Sequence, residues 1–385
     1  MYTVLDLFAG CGGLGLGFKM VDGYEIKLAN DIWEPAMKTY KYNNPSVPFI
    51  LADIKDLEED MLKQYFPNGV DVIIGGPPCQ GFSMCGTRDI NDNRNTLFYQ
   101  YARIVSITKP QIFMMENVKG LLSMKNPDGK PVIEEIYKEF DKIGYKIEHQ
   151  VINAKYYGVP QARERVIIIG TRKDIKGEFE YPQPILDEEN TYTVKDALSC
   201  LPNENSKSGE LKTTYENSST YLDLVKGHKG VWNHEIPTHK KDVEERMAFV
   251  PQGGNWQNIP EEYRVGGIHS NAYRRLDESK PCVTIKHAYK SMIIHPKYNR
   301  CLSIREVARL QSFPDDYIFM DNKTSQYQQL ANAVPPLLAK AFADGIKQFL
   351  DQISGQATLN NMAVINNITL KNKVASVGQM DLFEA

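Results

Sequence analysis

The 385-residue chain lacks most of the features that mark a protein for a special environment. No apolar run approaches the roughly 20 residues that a membrane-spanning helix needs. The N-terminus shows no basic stretch leading into an apolar core and a small-residue cleavage site, so export is not expected. The six cysteines (11, 79, 85, 200, 282 and 301) form no CxxC pair and no Cys/His cluster at zinc spacing. That argues against a metal site or a disulfide framework. Reduced thiols in a cytoplasmic protein fit best, and a cysteine in conspicuous surroundings becomes a candidate nucleophile. No sequence repeat is present, and no strong charge of either sign: the net value is only −3.

What is present is a chain with 42% hydrophobic and 24% charged residues, enough for two globular domains or one large domain with an insertion. Charge is unevenly spread. From Tyr273 to Arg309 nine Lys/Arg stand against three Asp/Glu, and six of the seven histidines lie between His228 and His295. A cationic C-terminal half can meet phosphates, although solvated surface charge explains the same numbers equally well.

The first 170 residues alternate short apolar runs with helical periodicity. Strands are predicted at Thr3–Phe8, Ile26–Asn30, Pro48–Ala52, Val70–Gly75, Gln111–Glu116, Lys146–Ile152 and Arg165–Gly170. Helices are predicted at Asn95–Ile107 and at Pro131–Ile143, the latter stopped by Gly144. The alternation predicts an α/β fold, a doubly wound and mainly parallel sheet covered on both faces. Residues 178–272 are rich in Asn, Ser, Glu, Pro and Gly and read as a smaller, loop-rich unit. Compact elements resume at Cys282–Ile285, Ser303–Gln311 and Pro336–Ile353, before an Asn-rich tail.

Three motifs fall at the ends of predicted strands. The first strand runs into Asp6-Leu-Phe-Ala-Gly-Cys-Gly-Gly-Leu-Gly-Leu-Gly17, where Gly10, Gly12 and Gly15 match GxGxxG, and Asp31 closes the second strand. Such a turn lets a ligand approach the backbone while the acid takes ribose hydroxyls. It fits either NAD or S-adenosylmethionine. Asp53 ends a further strand and is a candidate for an adenine edge. The fourth strand leads into Pro77-Pro78-Cys79-Gln80-Gly81-Phe82-Ser83, where two prolines stiffen the loop that presents a thiol. The fifth ends in Glu116-Asn117-Val118, a carboxyl that is costly to bury unless paired or protonated, and able to donate a proton in the latter form. Beside these, Gln161-Ala-Arg163-Glu-Arg165 places two arginines on one face of an extended segment, suited to clamping a carbonyl oxygen or a phosphate.

Together with RRLDESKPCVTI, SIREVARLQSFPD and QLANAVPP, these motifs stand in the order that resembles the cytosine-C5 DNA methyltransferases, over about residues 1–175 and 272–350. The resemblance implies a catalytic and S-adenosylmethionine-binding domain (1–177), a target-recognition domain (178–272), a return segment (273–352) and a flexible tail (353–385). It implies Cys79 as nucleophile, with Glu116, Arg163 and Arg165 as its catalytic partners. Phe8, Gly10, Cys11, Gly12, Asp31, Asp53, Ile54, Pro77, Leu97, Asn332 and Val334 would surround S-adenosylmethionine, with no metal. Ile32 follows Asp31 where many relatives carry an aromatic, and Trp33 comes one place later. Gln80, Ser83, Gln161, Arg246, Asn255, Arg264 and Arg274 are the expected contacts to double-stranded DNA. A cytoplasmic monomer without membrane contact is expected, one that serves beside a cognate restriction endonuclease. The final Gln379-Met-Asp-Leu-Phe383 resembles peptides that dock on bacterial sliding clamps. The tRNA methyltransferases of the same fold are the alternative, but their Cys-Phe-Thr tripeptide is absent. A NAD-dependent dehydrogenase would leave PPCQ, ENV and QxRxR without a use, and a non-catalytic DNA-binding protein would not need them intact.

Overall fold

The computed structural model of the protein describes residues 1–78, 97–126, 129–204, 210–211, 219–227, 230–265 and 272–355. Strands β1 (Tyr2–Leu7), β2 (Tyr24–Asp31), β3 (Phe49–Leu51), β4 (Val72–Gly75), β5 (Ile112–Val118), β6 (Tyr145–Asn153), a two-residue β7 (Gln161–Ala162) and β8 (Glu164–Arg172) follow one another along the chain. All but β7 form one sheet in the order β3-β2-β1-β4-β5-β8-β6. The seven strands read from the sequence are all there, each end within two residues of its expected place. Neighbours from β3 to β5 pair in parallel, and β8 alone runs antiparallel, between β5 and β6. The order reverses direction at β1 and β4, which opens a crevice beyond their carboxyl ends.

Strand alternation sends successive side chains to opposite faces. Val4, Val72, Ile74, Ile112 and Met114 enter one core, and Leu5, Leu7, Ile73, Phe113 and Met115 enter the other. Burial on both sides is why these strands read as continuous apolar runs. The second face is covered by α3 (Glu59–Tyr65), α4 (Leu97–Thr108) and α5 (Val132–Lys142), through Leu62, Phe98, Ile104, Ile136 and Phe140. On the first face lie α1 (Gly13–Lys19) and a long terminal helix, residues 336–355, which brings Leu338, Phe342, Ile346 and Phe349 back to the strands. That return is close enough that a Cβ on Gly17 would collide with Ala339. Between these, α2 (Glu34–Asn43) follows β2.

Residues 194–332 build a different kind of structure from short pieces. These are α6 (Val194–Leu198), β9 (Glu210–Leu211), α7 (Thr220–Val225), β10 (Val231–Trp232), α8 (Lys241–Ala248), β11 (Cys282–Val283), α9 (Ile304–Leu310) and α10 (Lys323–Asn332). β11 pairs in parallel with β7, so this half docks directly on the strand segment that carries QARER. Its cationic run is only partly surface. Arg275, Arg300, Arg305 and Arg309 are all buried. Arg309 forms a two-pronged pair with Asp315, at 2.8 Å in both arms. Arg300 does the same with Glu306, at 2.8 and 2.9 Å. Arg305 donates to the carbonyls of Trp232, Pro314 and Tyr317. Four of the nine cations in that run are therefore spent inside the fold.

Candidate active site

The glycine turn sits over the switch point between β1 and β4. Phe8, Gly10 and Gly12 adopt positive φ, at 52°, 55° and 93°. At Gly12 a Cβ would lie 2.7 Å from the Tyr317 hydroxyl, and at Gly13 it would strike the Val334 carbonyl. Glycine is thus required both by dihedral angle and by close approach. Asp31, at the end of β2, accepts from the Gly10 amide and from the Trp33 amide, each at 2.8 Å. Burial raises its pKa. Beneath the turn, Asp6 is fully buried and burial pushes its carboxyl well above the usual range. Its Oδ1 meets no hydrogen-bond partner among the described residues, and a Cβ on Gly15 would lie 2.6 Å from its Oδ2.

Other expected cofactor residues border this turn in different ways. Asp53 accepts from the Lys55 amide and so starts the turn at 54–56, where Ile54 is buried. Pro77 is buried at the end of β4, and Leu97 opens α4. Ile32 is 68% exposed at the carboxyl edge of β2, whereas Trp33 immediately precedes α2. Val334 lies against Gly13, and Asn332 is exposed at the end of α10. The Cys11 thiol is turned into the core and burial pushes its pKa up to about 12. Its backbone carbonyl is held by the Tyr317 hydroxyl. A glycine-rich turn, a carboxylate at the neighbouring strand end and a second segment folded over both make a cradle that fits a nucleoside cofactor.

Cys79, Gln80 and Ser83 lie outside the described residues. The chain leading to them is nevertheless anchored, because Asn117 Nδ2 donates to the Pro77 carbonyl at 2.9 Å. Asn117 belongs to the ENV motif, but no task was expected of it. Its neighbour Glu116 is paired: Oε1 lies 2.8 Å from Arg165 Nε, and the two side chains are 11% and 12% exposed. The other carboxylate oxygen reaches across the end of β4, since a Cβ on Gly76 would come within 3.2 Å of it. The antiparallel register of β5 and β8, with Val118 opposite Arg165, produces this meeting. An acid, a guanidinium and the root of the Pro-Pro loop thus converge at one edge of the sheet.

Arg163 takes a different direction. It is buried and donates from Nη2 to the carbonyls of Ala331 at 3.2 Å and Ala333 at 2.9 Å. Gln161 is also buried. Its amide donates to the Leu310 carbonyl and accepts from the Ile285 amide, so it reaches no open surface and joins the two halves instead. Of the other expected DNA contacts, Arg246 is engaged by Asp242 and the Tyr273 hydroxyl. Arg264 lies 5.6 Å over the Trp256 ring and donates to the Ile259 and Gln257 carbonyls. Asn255 caps the turn at 256–258. Arg274 is partly exposed. Among the described residues no three His, Cys, Asp or Glu converge as a metal site, and no helix is long and apolar enough to cross a membrane.

The fold is that of an S-adenosylmethionine-type α/β methyltransferase, with a second half docked on the strand segment that carries QARER. Residues 2–348 match the family of C-5 cytosine-specific DNA methylases, and the chain belongs to that family. It is therefore a DNA cytosine-5-methyltransferase, with S-adenosylmethionine as the family's methyl donor and DNA as its substrate. The chain is 39% identical to the type II methyltransferase M.DdeI of Desulfomicrobium norvegicum, covering 97% of this chain and 93% of that protein. It is 38% identical to M1.HphI of Haemophilus parahaemolyticus, covering 89% and 86%. Among solved structures, a prophage-encoded Escherichia coli protein described as a DNA modification methyltransferase superposes with a TM-score of 0.73. Its identity is 28%, over 91% of this chain and 100% of that one. The Dnmt2 methyltransferase of S. pombe shares the fold, with a TM-score of 0.60 at 19% identity, over 92% of this chain and 99% of that one.

Proposed function

We propose that the protein methylates C5 of a cytosine flipped out of a specific duplex sequence, through a covalent bond between Cys79 and C6. The observation that carries this reading is the Glu116–Arg165 pair at 2.8 Å, beside the anchored root of the Pro-Pro loop. Cytosine C5 is a poor nucleophile. Addition of the Cys79 thiolate to C6 pushes electron density onto N3 and O2 and makes C5 enamine-like. Glu116, carrying a proton, donates a hydrogen bond or that proton to N3, and Arg165 faces O2, so the charge that grows during addition meets groups already in place. S-adenosylmethionine, when bound in the glycine-turn cradle, supplies the electrophilic methyl group. Loss of the C5 proton to a base, with departure of the Cys79 sulfur from C6, restores the aromatic ring. None of these contacts is reachable inside a duplex, which requires base flipping.

Further assignments follow the same reading. Asp31 and Asp53 hold ribose and adenine, and the exposed Ile32 covers the adenine face in place of an aromatic. Residues 178–272 with the return segment serve as the recognition unit. There Arg274, Arg246, Arg264 and Asn255 supply DNA contacts, with Gln80 and Ser83 on the catalytic side. Both curated relatives are type II methyltransferases, which supports a restriction-modification role, protecting host DNA from a cognate endonuclease. Gln379–Phe383, outside the described residues, is a candidate clamp-docking peptide. We expect the enzyme to act as a monomer and without a metal.

The decisive test pairs labelled S-adenosylmethionine with duplex DNA or tRNA, and adds duplex DNA carrying 5-fluorocytosine. Label is expected in DNA only, together with a denaturation-resistant protein–DNA adduct, because the fluorine at C5 cannot leave as a proton does. Cys79→Ser is expected to abolish the adduct. Label in tRNA alone, or undiminished DNA methylation by Cys79→Ser, overturns the reading.

A further inference from the structure

We propose that Arg163 is a positioning residue for the cofactor side of the site, while Arg165 alone serves the cytosine. The two arginines alternate on one extended segment, and the sequence pattern assigns them a single shared task. The structure separates them. Arg165 turns to Glu116, whereas the Arg163 guanidinium is buried against the Ala331 and Ala333 carbonyls. Those carbonyls flank Asn332, where α10 ends. The last carbonyls of a helix have no partner within it and need outside donors. A cation there also complements the helix dipole.

The chain of contacts continues toward the glycine turn. One residue past Ala333, the Val334 carbonyl lies so close to Gly13 that no side chain fits between them. The base of Arg163 is fixed as well, since its amide donates to the Gln161 carbonyl and its carbonyl accepts from the Ala154 amide, both at 2.9 Å. Arg163 therefore ties the segment 331–334 to the strand edge that carries the catalytic pair. Burial and the neighbouring Arg165 lower its pKa to about 9, which still leaves it charged at neutral pH. Among the described residues the two carbonyls are the hydrogen-bond partners of the guanidinium. A lysine offers one compact donor head in place of the planar fork and reaches these acceptors only in part.

The inference rests on the reading that Asn332 and Val334 line the cofactor cradle. The experiment measures S-adenosylmethionine affinity by calorimetry, and kcat at saturating cofactor with duplex DNA, for R163M, R163K, R165M and N332A in the full chain. Loss of a charged, doubly bonded donor is expected to weaken cofactor binding by about tenfold or more in R163M, with partial recovery in R163K. Meanwhile kcat at saturating cofactor is expected to stay within about threefold of the parent, as uniform-binding losses do. R165M is expected to do the reverse, losing kcat and keeping cofactor affinity. Weakened binding in N332A with normal binding in R163M overturns the proposal, as does a fall in kcat for R163M at unchanged affinity. Normal cofactor binding in N332A instead removes the cradle reading on which the proposal stands. Should R163M not fold, R163K alone decides, by whether its deficit appears in affinity or in kcat.

Discussion

The two halves of the molecule bury charge for opposite reasons. In the seven-stranded half the buried core is almost wholly apolar, and buried ionisable groups gather at its carboxyl edge: Asp6, Glu116 and Arg163. In residues 194–332 they run through the interior, as Arg275, Arg300, Arg305, Arg309, Glu306, Asp315, His234, His287 and His295. The helices of that half span five to ten residues and its strands two. Such short elements leave many loop carbonyls to satisfy, and a guanidinium with five donors is well suited to the task. Arg275 shows the outcome, binding the carbonyls of Val250, His295, Tyr298 and Met247 and the Asn299 side chain. In the sheet half, where regular strands already satisfy the backbone, buried charges are few and sit at one edge. Where they do not, buried charge serves as scaffolding.

That contrast predicts different failures in the two halves. Arg309→Ala would leave Asp315 buried without its guanidinium, since both side chains are 0% exposed, and would strip donors from the Ala197 and Ser199 carbonyls. A loss of about 3–5 kcal/mol in denaturant unfolding is expected for breaking such a pair. A loss under about 1 kcal/mol would show that the pair does not organise this half. Glu116→Gln keeps an acceptor for Arg165 Nε and should leave the melting temperature within a few degrees. Its kcat for DNA methylation should fall by about 10²–10³-fold. Equal losses of stability and rate in both variants would erase the distinction.

The sheet half was the more legible for the same physical reason. A strand buried on both faces must be apolar throughout, so Val72–Gly75 and Ile112–Met115 declare themselves, and the glycine turn follows β1 as its spacing requires. Glu116 was readable as a carboxyl needing a partner, although only the β5–β8 register shows that the partner is Arg165. Gln161 and Arg163 were not readable as buried. What covers them arrives from Leu310, Ile285, Ala331 and Ala333, more than 120 positions later in the chain. The cationic run leaves its role open, because charge content does not reveal burial. A local sign existed in the Ser303-to-Glu306 capping box, whose acid also receives Arg300. Four arginines of that segment belong to the inner frame of this half, while its four lysines stay exposed.

The smallest expected effect probes that frame through pH. His295 is buried beside Glu306, with its Nε2 at 3.7 Å from the carboxylate, and faces Arg300, Lys297 and Arg275 as well. Burial dominates and lowers its pKa from 6.5 to about 4. Between those values the unfolded chain binds the proton more readily than the folded one, so stability rises with pH. The contribution is complete above pH 6.5 and is lost as pH falls toward 4. It amounts to on the order of 3 kcal/mol for a shift of this kind. Burial lowers His234, His239 and His287 too, so all four histidines slope the same way. In the sheet half Asp6 slopes oppositely: its raised pKa favours the folded state at low pH and that advantage is lost as pH rises through the folded value. Glu306 does not confuse the measurement. Burial opposes its charge, but Arg300 outweighs that and holds its pKa below the ordinary 4.5, so its loss begins at lower pH. In His295→Asn, which retains an acceptor for the Lys297 amide, unfolding free energy measured from pH 7 to 5 should fall less steeply than in the parent. An unchanged slope would mean that His295 carries its proton equally in both states, and that burial in this half costs the imidazolium nothing.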